Sequence, residues 1–281
     1  MLNPNLIKKK STELDIPFDN LLLGCLLEEF VVFISENNLE DLWIINDKTL
    51  NIDSYKRGMK DTLILAYSGS EEIDVYLRKL SLSIVSHFMN LGVKVTTNFL
   101  SNNRVCFEIN LLKMKIPIIL FVQEAGEVQT FPREKELELS LQNGKTVTYL
   151  EFPLEERISE LCFDILDKLE LLNEMEKYID LYDILQNEAI EGRKVKDCLS
   201  DKCVSKKGFD LNRLEKLKSY KNYTYMKKKW KRVVRHTKRS DLIWEDVHTL
   251  IIRFLEPIYK AYVEDTVFFG DWMPDILRFL D

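Results

Sequence analysis

The chain has 281 residues, which suffices for one large domain or for two of ordinary size. Hydrophobic residues make up 46% of it and only 9 residues are glycine, so the composition predicts a packed core and excludes a largely disordered protein. The net charge of −6 is unevenly spread, because segment 206–239 contains 14 Lys and Arg against two acids. Such a block favours an anionic partner or a compensating acidic surface within the fold.

Nothing in the sequence favours secretion or membrane insertion. It begins MLNPNLIKKKSTELD, with no apolar run beside the lysines. Its most apolar stretches are FDNLLLGCLLEEFVVFI, which is interrupted by acids, and MKIPIILFV, which is too short to span a bilayer. The five cysteines are dispersed, as is typical of reduced thiols. We therefore expect a cytoplasmic protein with no membrane partner.

The first elements of the chain alternate between helix and strand. An apolar helix is predicted over 19–37, followed by a short buried strand in DLWIIND. A second strand is predicted from Thr62 to Tyr67, and a second helix from about Ser70 to Leu91, where apolar residues recur at intervals of three and four. Ser70 is a candidate N-cap of that helix, and Gly92 is well placed to end it.

A strand-rich stretch follows. VKVTTNFL and RVCFEINLL alternate between apolar and polar residues, and IPIILFVQ is a continuous apolar run of the kind found in strands covered on both faces. Asn143-Gly144 lies between two alternating runs and indicates a β-hairpin. Strands mixed with helices in this way predict an α/β or α+β domain with a mixed sheet over residues 1–150.

From Pro153 onward the pattern becomes helical. Apolar residues recur at helical spacing from 154 to 185, and acids fill the remaining faces. Further helices are predicted at 210–219, 222–236, 243–263 and 271–280. Residues 151–281 are therefore expected to form a second domain, an all-α helical bundle.

Candidate catalytic acids lie in the first domain. Phosphoryl transfer with Mg²⁺ needs two or three carboxylates at one point, and alternate residues of one strand share a face. Asp61 begins the strand Thr62–Tyr67, and Glu108 points away from the apolar face of its own strand. These two, with Asp74 as a further candidate, predict a metal-binding cluster. The alternative is that they are ordinary acids at strand ends and on the surface.

Two further acids occur in the stretch KYIDLYDIL of the second domain. Asp180 and Asp183 are three residues apart on one helical face, with Lys177 one turn earlier. They could face the cleft of the first domain and take part in its chemistry. The alternative is a solvated helix face.

The basic segment is a candidate nucleic-acid interface. In NRLEKLKSYKNYTYMKKKWKRVVRHTKR the cations are interleaved with tyrosines and with Trp230. Lys and Arg neutralise phosphates, and aromatic faces can stack on unpaired bases. The alternative is helix packing, with Trp230, Val233 and Val234 as an apolar stripe and the lysines on its wet side. The predicted nucleic-acid-binding residues are Lys227, Lys228, Lys229, Lys231, Arg232 and Arg235.

The order of these pieces resembles the AbiEii-type nucleotidyltransferase-like toxins of bacterial abortive-infection and toxin–antitoxin systems. PLEERISELCFDILDKLE is similar to that family's long helix, which ends in an Arg-Asp-Leu-Tyr-Asp-Leu pattern. Residues 180–183 match Asp-Leu-Tyr-Asp residue for residue. The Trp230 segment followed by DLIWEDVHTLIIRFLEPIY is like the family's C-terminal bundle. The resemblance covers most of the chain and implies that residues 1–150 form a nucleotidyltransferase-like domain.

The departures from the family pattern fall where its chemistry is expected. The family has a glycine-containing turn before an Asp-x-Asp strand, and the glycine lets a backbone amide approach a phosphate closely. Here Asn46-Asp47-Lys48-Thr49 stands in place of that turn, and Leu63 and Leu65 stand at or beside the metal positions. The family's helix lysine aligns with Leu161, and its arginine before Asp-Leu-Tyr-Asp aligns with Ile179.

The resemblance implies transfer of a nucleotide from an NTP, with Mg²⁺, to an RNA or protein acceptor. In that role Asp61 and Glu108 would hold the metal, and Lys48 and Thr49 would contact phosphates. Asp180 and Asp183, the other candidate catalytic residues, would order the acceptor or base. It also implies a tRNA-like RNA acceptor and a cognate antitoxin as partners. The alternative is a catalytically degenerate member that binds RNA or protein.

Overall fold

The computed structural model describes residues 3–126, 128, 130–142, 144–204 and 206–280, apart from the side chain of Lys48. The chain divides into two compact units, Met1–Phe152 and Pro153–Asp281. The division falls where strand alternation in the sequence gives way to helical spacing. No helix in the described part of the chain combines the length and the apolar character needed to cross a membrane.

The first unit is a mixed sheet with four helices in its described residues. A 3₁₀ turn, Asp47–Thr49, follows its first strand. The helices and strands are α1 (Pro4–Leu14), α2 (Phe18–Glu36), β1 (Leu42–Ile44), α3 (Ile52–Arg57), β2 (Thr62–Tyr67), α4 (Ile73–Asn90), β3 (Lys94–Ser101), β4 (Arg104–Leu111), β5 (Met114–Glu124), β6 (Arg133–Glu138) and β7 (Thr146–Glu151).

The seven strands are ordered β3-β4-β5-β2-β1-β7-β6. β2 pairs with β5 and β1 pairs with β7 in parallel, whereas the other neighbours are antiparallel. The α/β class with a mixed sheet is therefore confirmed. β6 and β7 form the hairpin expected around Gly144, whose φ of 72° lies in the left-handed region that glycine tolerates.

The two faces of the sheet have different surroundings. The alternating apolar residues of β2, β4 and β5 share one core with α2 and α4. On the other face Trp43, Ala66 and Phe152 form a smaller apolar cluster. Helix α4 begins at Ile73 after Glu72, so the prediction of Ser70 as its N-cap is wrong. Gly92 follows the helix with φ 77°.

The second unit is mainly helical. Its helices cover most of the predicted helical segments, so a helical part following the α/β part is confirmed. The helices and strands are α5 (Leu154–Lys168), α6 (Glu176–Asn187), β8 (Ile190–Glu191), α7 (Gly192–Val204), α8 (Leu211–Ser219), α9 (Thr224–His236), α10 (Trp244–Val263), β9 (Asp271–Met273) and β10 (Arg278–Leu280).

The expectation of an all-α bundle is wrong. A small antiparallel sheet of order β10-β9-β8 closes the second unit, and the segment predicted as a helix at 271–280 is its hairpin. Trp272 is buried there, and its indole Nε1 donates to the Leu185 carbonyl at 2.8 Å. A Cβ atom at Gly192 would lie 2.2 Å from the Gly270 carbonyl oxygen, so this close approach of two backbones requires glycine.

The apolar spacing over 154–185 also belongs to two helices rather than one. α5 ends at Lys168, where Leu169 adopts a φ of 49°, and α6 begins at Glu176. A short 3₁₀ turn, Leu169–Leu171, lies between them. Neither glycine nor proline marks the break, so the spacing alone could not reveal it.

Candidate functional site

Strand β2 carries Leu63 and Leu65 at or beside the positions where the sequence resemblance predicts metal-binding acids. Leu63 and Leu65 are fully buried in the core shared with α2 and α4. Thr62, Ile64 and Ala66 alternate with them and lie on the other face. Leu63 and Leu65 are therefore part of the packing beneath the helices, and neither face of β2 carries an acid.

Asp61 and Glu108, the predicted metal pair, lie on strands that are not neighbours. Asp61 directly precedes β2, and its Oδ1 accepts a 3.4 Å hydrogen bond from the Thr62 hydroxyl. Glu108 lies on β4, with Lys115 Nζ 3.6 Å from its Oε2. Because β5 separates the two strands, their axes are about 10 Å apart.

Both carboxylates raise the pKa of a nearby thiol, that of Cys106 on β4. Burial raises the pKa of Cys106, and the charges of Glu108 and Asp61 raise it further. Asp74, the third candidate, lies in the first turn of α4. Among the described residues no three His, Cys, Asp or Glu side chains are grouped so that they could hold a metal ion. The predicted pair therefore does not fit the clustered site that Mg²⁺ prefers.

Segment 46–49 is fixed to β2 by side-chain hydrogen bonds. The Asn46 amide donates to the Thr62 carbonyl and accepts from the Ile64 amide, both at 2.8 Å. Thr49 donates its hydroxyl to the Asn46 carbonyl at 2.6 Å. The side chain of Lys48, the other predicted phosphate ligand, lies outside the described residues. Thr49 thus has a structural partner in this turn.

Next to this turn lies a buried charged group that the sequence analysis did not predict. Lys135 Nζ lies 3.0 Å from Glu151 Oε1 and 3.5 Å from Asp47 Oδ2. The Tyr149 hydroxyl donates to Asp47 Oδ2 at 3.1 Å. Glu151 lies on the same buried face of β7 as Val147 and Tyr149. An acid at a position where the alternation predicts an apolar residue was therefore the signal that the sequence offered for this group.

In the second unit, Asp183 is held by an arginine. Arg239 donates to both Asp183 oxygens, from Nη1 at 2.8 Å and from Nη2 at 3.1 Å. The hydrogen bond to Asp183 raises the pKa of the Arg239 guanidinium. Asp180 is exposed one turn earlier, and Lys177 pairs with Asp164. Asp183 thus anchors the end of the basic segment. The contact is a bidentate pair between an arginine and a carboxylate, which is short and geometrically specific.

Much of the charge in the basic segment is met within the second unit. Several of its cations each bond a carboxylate elsewhere in the unit. These carboxylates are the compensating acidic groups that the charge distribution of the sequence allowed as an alternative to an anionic partner. These pairs are Lys206 with Asp167, Lys216 with Glu170, Lys218 with Glu256, Lys227 with Glu245 and Arg239 with Asp183.

Helix α9 has one face in the core. Met226 and Trp230 are buried, and Trp230 Nε1 donates to the Leu242 carbonyl at 3.0 Å. Lys229 donates from Nζ to the carbonyls of Glu170 and Leu172, at 3.0 and 2.6 Å, and so binds the turn between α5 and α6. Lys227 pairs with Glu245. Lys227 and Lys229, two of the predicted nucleic-acid-binding residues, are therefore engaged in contacts within the unit.

The other four predicted ligands form an exposed stripe. Lys228, Lys231, Arg232 and Arg235 are spaced i, i+3, i+4 and i+7, which places them on one side of α9. All four are exposed, and none takes part in an ion pair within the described ranges. We call these four residues the basic stripe.

Two exposed tyrosines lie at the N-terminal end of α9, ahead of the basic stripe in the sequence. The side chains of Tyr223 and Tyr225 are 45% and 47% exposed, and their ring centroids are 5.9 Å apart. Tyr223 also stacks on Tyr220, with centroids 5.6 Å apart and planes inclined by 28°. Exposed cations beside exposed aromatic rings supply the two interactions that an unpaired nucleic-acid strand needs.

No protein-family model matches the chain, and no curated protein matches it in sequence. Its fold is similar to the crystal structure of JHP933 from Helicobacter pylori, with a TM-score of 0.43 and 10% sequence identity, over 86% of this chain and 94% of that chain.

Proposed function

We propose that this protein binds RNA through the basic stripe, and that the phosphates of a single strand contact its four cations. The observation that carries the proposal is the exposure of these cations on one helix face while neighbouring cations are paired. A helix face that contacts only solvent does not need four charges of the same sign. Acidic residues on that face would reduce the net charge by neutralising it. The charges instead attract a polyanion.

The expected contact combines charge with stacking. Lys228 and Arg235 are seven residues apart, so the stripe extends about 10 Å along α9. Arg232 and Arg235 can each bond two oxygens of a phosphate, whereas the lysines act as point charges. Tyr223 and Tyr225 lie at one end of the stripe, where their faces can stack on unpaired bases. Single-stranded RNA is therefore the favoured ligand.

The test is binding of a labelled single-stranded RNA to wild type and to a variant with Lys228, Lys231, Arg232 and Arg235 changed to Gln. Four phosphate contacts predict about a 50-fold loss of wild-type affinity between about 50 and 200 mM salt, because each contact releases counterions. The variant should lose most of its affinity and most of this salt dependence.

The matched control changes four exposed lysines of the first unit to Gln, at Lys8, Lys56, Lys60 and Lys145. It removes the same total charge, so it should retain the affinity and the salt dependence if the effect is local to α9. Equal binding by wild type and the stripe variant, or equal losses in both variants, would refute the proposal.

We further propose that the chain is a divergent nucleotidyltransferase-like protein of the AbiEii type. The match of residues 180–183 to Asp-Leu-Tyr-Asp and the order of an α/β part before a helical part support this. That class implies an NTP, Mg²⁺ and a cognate antitoxin. Because Thr49 and Asp183 have structural partners and Leu63 and Leu65 are in the core, the geometry favours the catalytically degenerate form, which binds RNA with little or no nucleotide transfer.

Incubation with each labelled NTP, Mg²⁺ or Mn²⁺, and bacterial RNA or protein tests this second proposal. The expected result is little labelling above that of a heat-denatured sample, with RNA still bound. Robust labelling that is lost in Asp61→Ala or Glu108→Ala would overturn the degenerate interpretation and support the predicted site. Labelling that persists in both variants would show that catalysis uses other residues.

A further inference from the structure

The two edges of the seven-stranded sheet differ in character. At one edge β6 carries five charged residues out of six, which is a common protection against pairing with another strand. At the other edge β3 has the sequence KVTTNFLS, whose single charge is Lys94. All of its residues except Val95 are exposed. Its outer backbone groups are thus available to a further strand, although the register shift between Phe99 and Ser101 interrupts the last residues.

Helix α4 extends this exposed surface. Besides its buried stripe it carries a second apolar series at seven-residue intervals, with Val75, Leu82 and Met89 exposed by 38%, 73% and 64%. The Arg78 guanidinium, on the same side of the helix, lies 4.9 Å from the centre of the Phe99 ring on β3. The apolar series therefore lies beside the edge strand. We call β3 together with Val75, Leu82 and Met89 the edge patch.

We propose that the edge patch is a dimer interface, in which β3 pairs antiparallel with β3 of a second copy of this chain around a two-fold axis. Two-fold pairing needs a surface that is complementary to itself. The apolar series is symmetric about Leu82, so antiparallel helices would place Leu82 against Leu82 of the second copy and Val75 against its Met89. On β3 the corresponding centre is Thr97.

One axis can serve both elements. Leu82 lies eight residues before the end of α4 at Asn90, about 12 Å along the helix. Thr97 lies three residues after Lys94, about 10 Å along the strand. Because the chain reverses direction between Asn90 and Lys94, Leu82 and Thr97 lie at nearly the same distance from the turn that joins α4 to β3.

Charge and side-chain pairing also suit a second copy. With Thr97 opposite Thr97 of the other copy, Val95 meets Phe99 on the face that carries α4, and Thr96 meets Asn98 on the other face. No like charges face each other, and the regular part of β3 forms the ladder. Apolar and Thr–Thr cross-strand pairs of this kind stabilise antiparallel strands.

The size of the surface fixes the expected affinity. An α4 length of about 27 Å and a patch width of about 20 Å give about 500 Å² on each copy, or about 1,000 Å² in all. This is at the lower end of specific interfaces, so we expect a dimer with a dissociation constant in the micromolar range rather than a permanent one.

Sedimentation velocity of the full chain from about 1 to 200 µM should show a monomer–dimer equilibrium. Leu82→Glu and Leu82→Lys should each weaken dimerisation at least tenfold, because two like charges meet at the axis. An equimolar mixture of the two variants should dimerise again, since opposite charges then meet. Leu82 is exposed, so neither change should disturb folding.

Leu171→Glu is the matched control, because Leu171 is 75% exposed but lies in the second unit. It should dimerise like wild type. A chain that remains monomeric at 200 µM, a dimer indifferent to both Leu82 variants, or failure of the mixture to recover would overturn the proposal. Concentration-dependent amide protection of β3 by hydrogen exchange should accompany the dimer. Protection by an added peptide of another protein alone would assign the edge to that partner instead.

Discussion

Replacing Glu28 with Ala should destabilise the first unit by about 2–4 kcal/mol, because it leaves buried donors without their acceptor. Glu28 is buried on α2. Its Oε1 accepts the Tyr55 hydroxyl at 2.8 Å and the Ser140 hydroxyl at 2.5 Å, and its Oε2 accepts the Ser140 amide at 3.0 Å. The fully buried Tyr55 hydroxyl contributes about 1–3 kcal/mol of this loss, and the half-buried Ser140 contributes less because water can reach it.

Glu28→Gln separates the role of the charge from that of the hydrogen bonds. Burial raises the pKa of Glu28 despite the bonds from Ser140 and Tyr55. Folding therefore favours the protonated carboxyl, and the stability contributed by this group is complete below the ordinary glutamate pKa and falls as pH rises towards the folded value. Relative to the Gln variant, wild type should lose stability as pH rises above the ordinary glutamate pKa.

Urea denaturation monitored by hydrogen-exchange mass spectrometry reports the two units separately through their own peptides. Glu36→Ala is the control, because Glu36 is exposed on the same helix and its change should have an effect below about 0.5 kcal/mol. The reasoning is refuted if Glu28→Ala is as mild as Glu36→Ala. It is also refuted if wild type gains stability over the Gln variant as pH rises.

Two further predictions concern the scaffold of the basic stripe. Lys229→Gln should lower the stability of the second unit by about 1–2 kcal/mol, because it releases the Glu170 and Leu172 carbonyls, yet change RNA affinity less than twofold; urea unfolding and RNA titration measure the two effects. Arg239→Ala should lower the stability of the second unit by about 1 kcal/mol, after allowance for solvent screening of the partly exposed Asp183. If the double variant Asp183→Ala/Arg239→Ala loses more stability than either single variant, the two residues do not form a direct pair.

The sequence predicted those helices whose apolar residues repeat at helical spacing. α2, α8, α9 and α10 all begin and end within a few residues of the predicted bounds. The hairpin at 271–280 was mistaken for a helix, because the apolar residues of DWMPDILRFL fit either structure. β9 pairs with β8, whose Ile190 is 82 residues away from Trp272, and local spacing does not encode such a contact.

The break between α5 and α6 was missed for a related reason. The apolar repeat continues through it, and the carbonyls freed at Glu170 and Leu172 are satisfied by Lys229 from a distant helix. A backbone turn stabilised by a tertiary contact leaves no mark on the local pattern. The carboxylate pair Asp61 and Glu108 illustrates the same limit, since alternation fixes a residue's face but not which strand lies next to it.

The basic stripe could have been separated from its neighbours by helical geometry alone. Met226 and Trp230 define the buried side of α9 at an i, i+4 interval. Lys227 and Lys229 directly follow and precede these two positions, so they flank the buried side and can reach groups of the same unit. The stripe residues, from Lys228 onward, repeat at i, i+3, i+4 and i+7 on the remaining side.

This difference in position decides what each cation can bind. A long side chain beside a packed face reaches acids and carbonyls of its own unit, as Lys227 and Lys229 do, and its charge is then offset. A side chain on the far side has only solvent within reach. The net charge of segment 206–239 therefore overstates the charge available to a partner, and the four exposed cations of the basic stripe belong to the part that remains available.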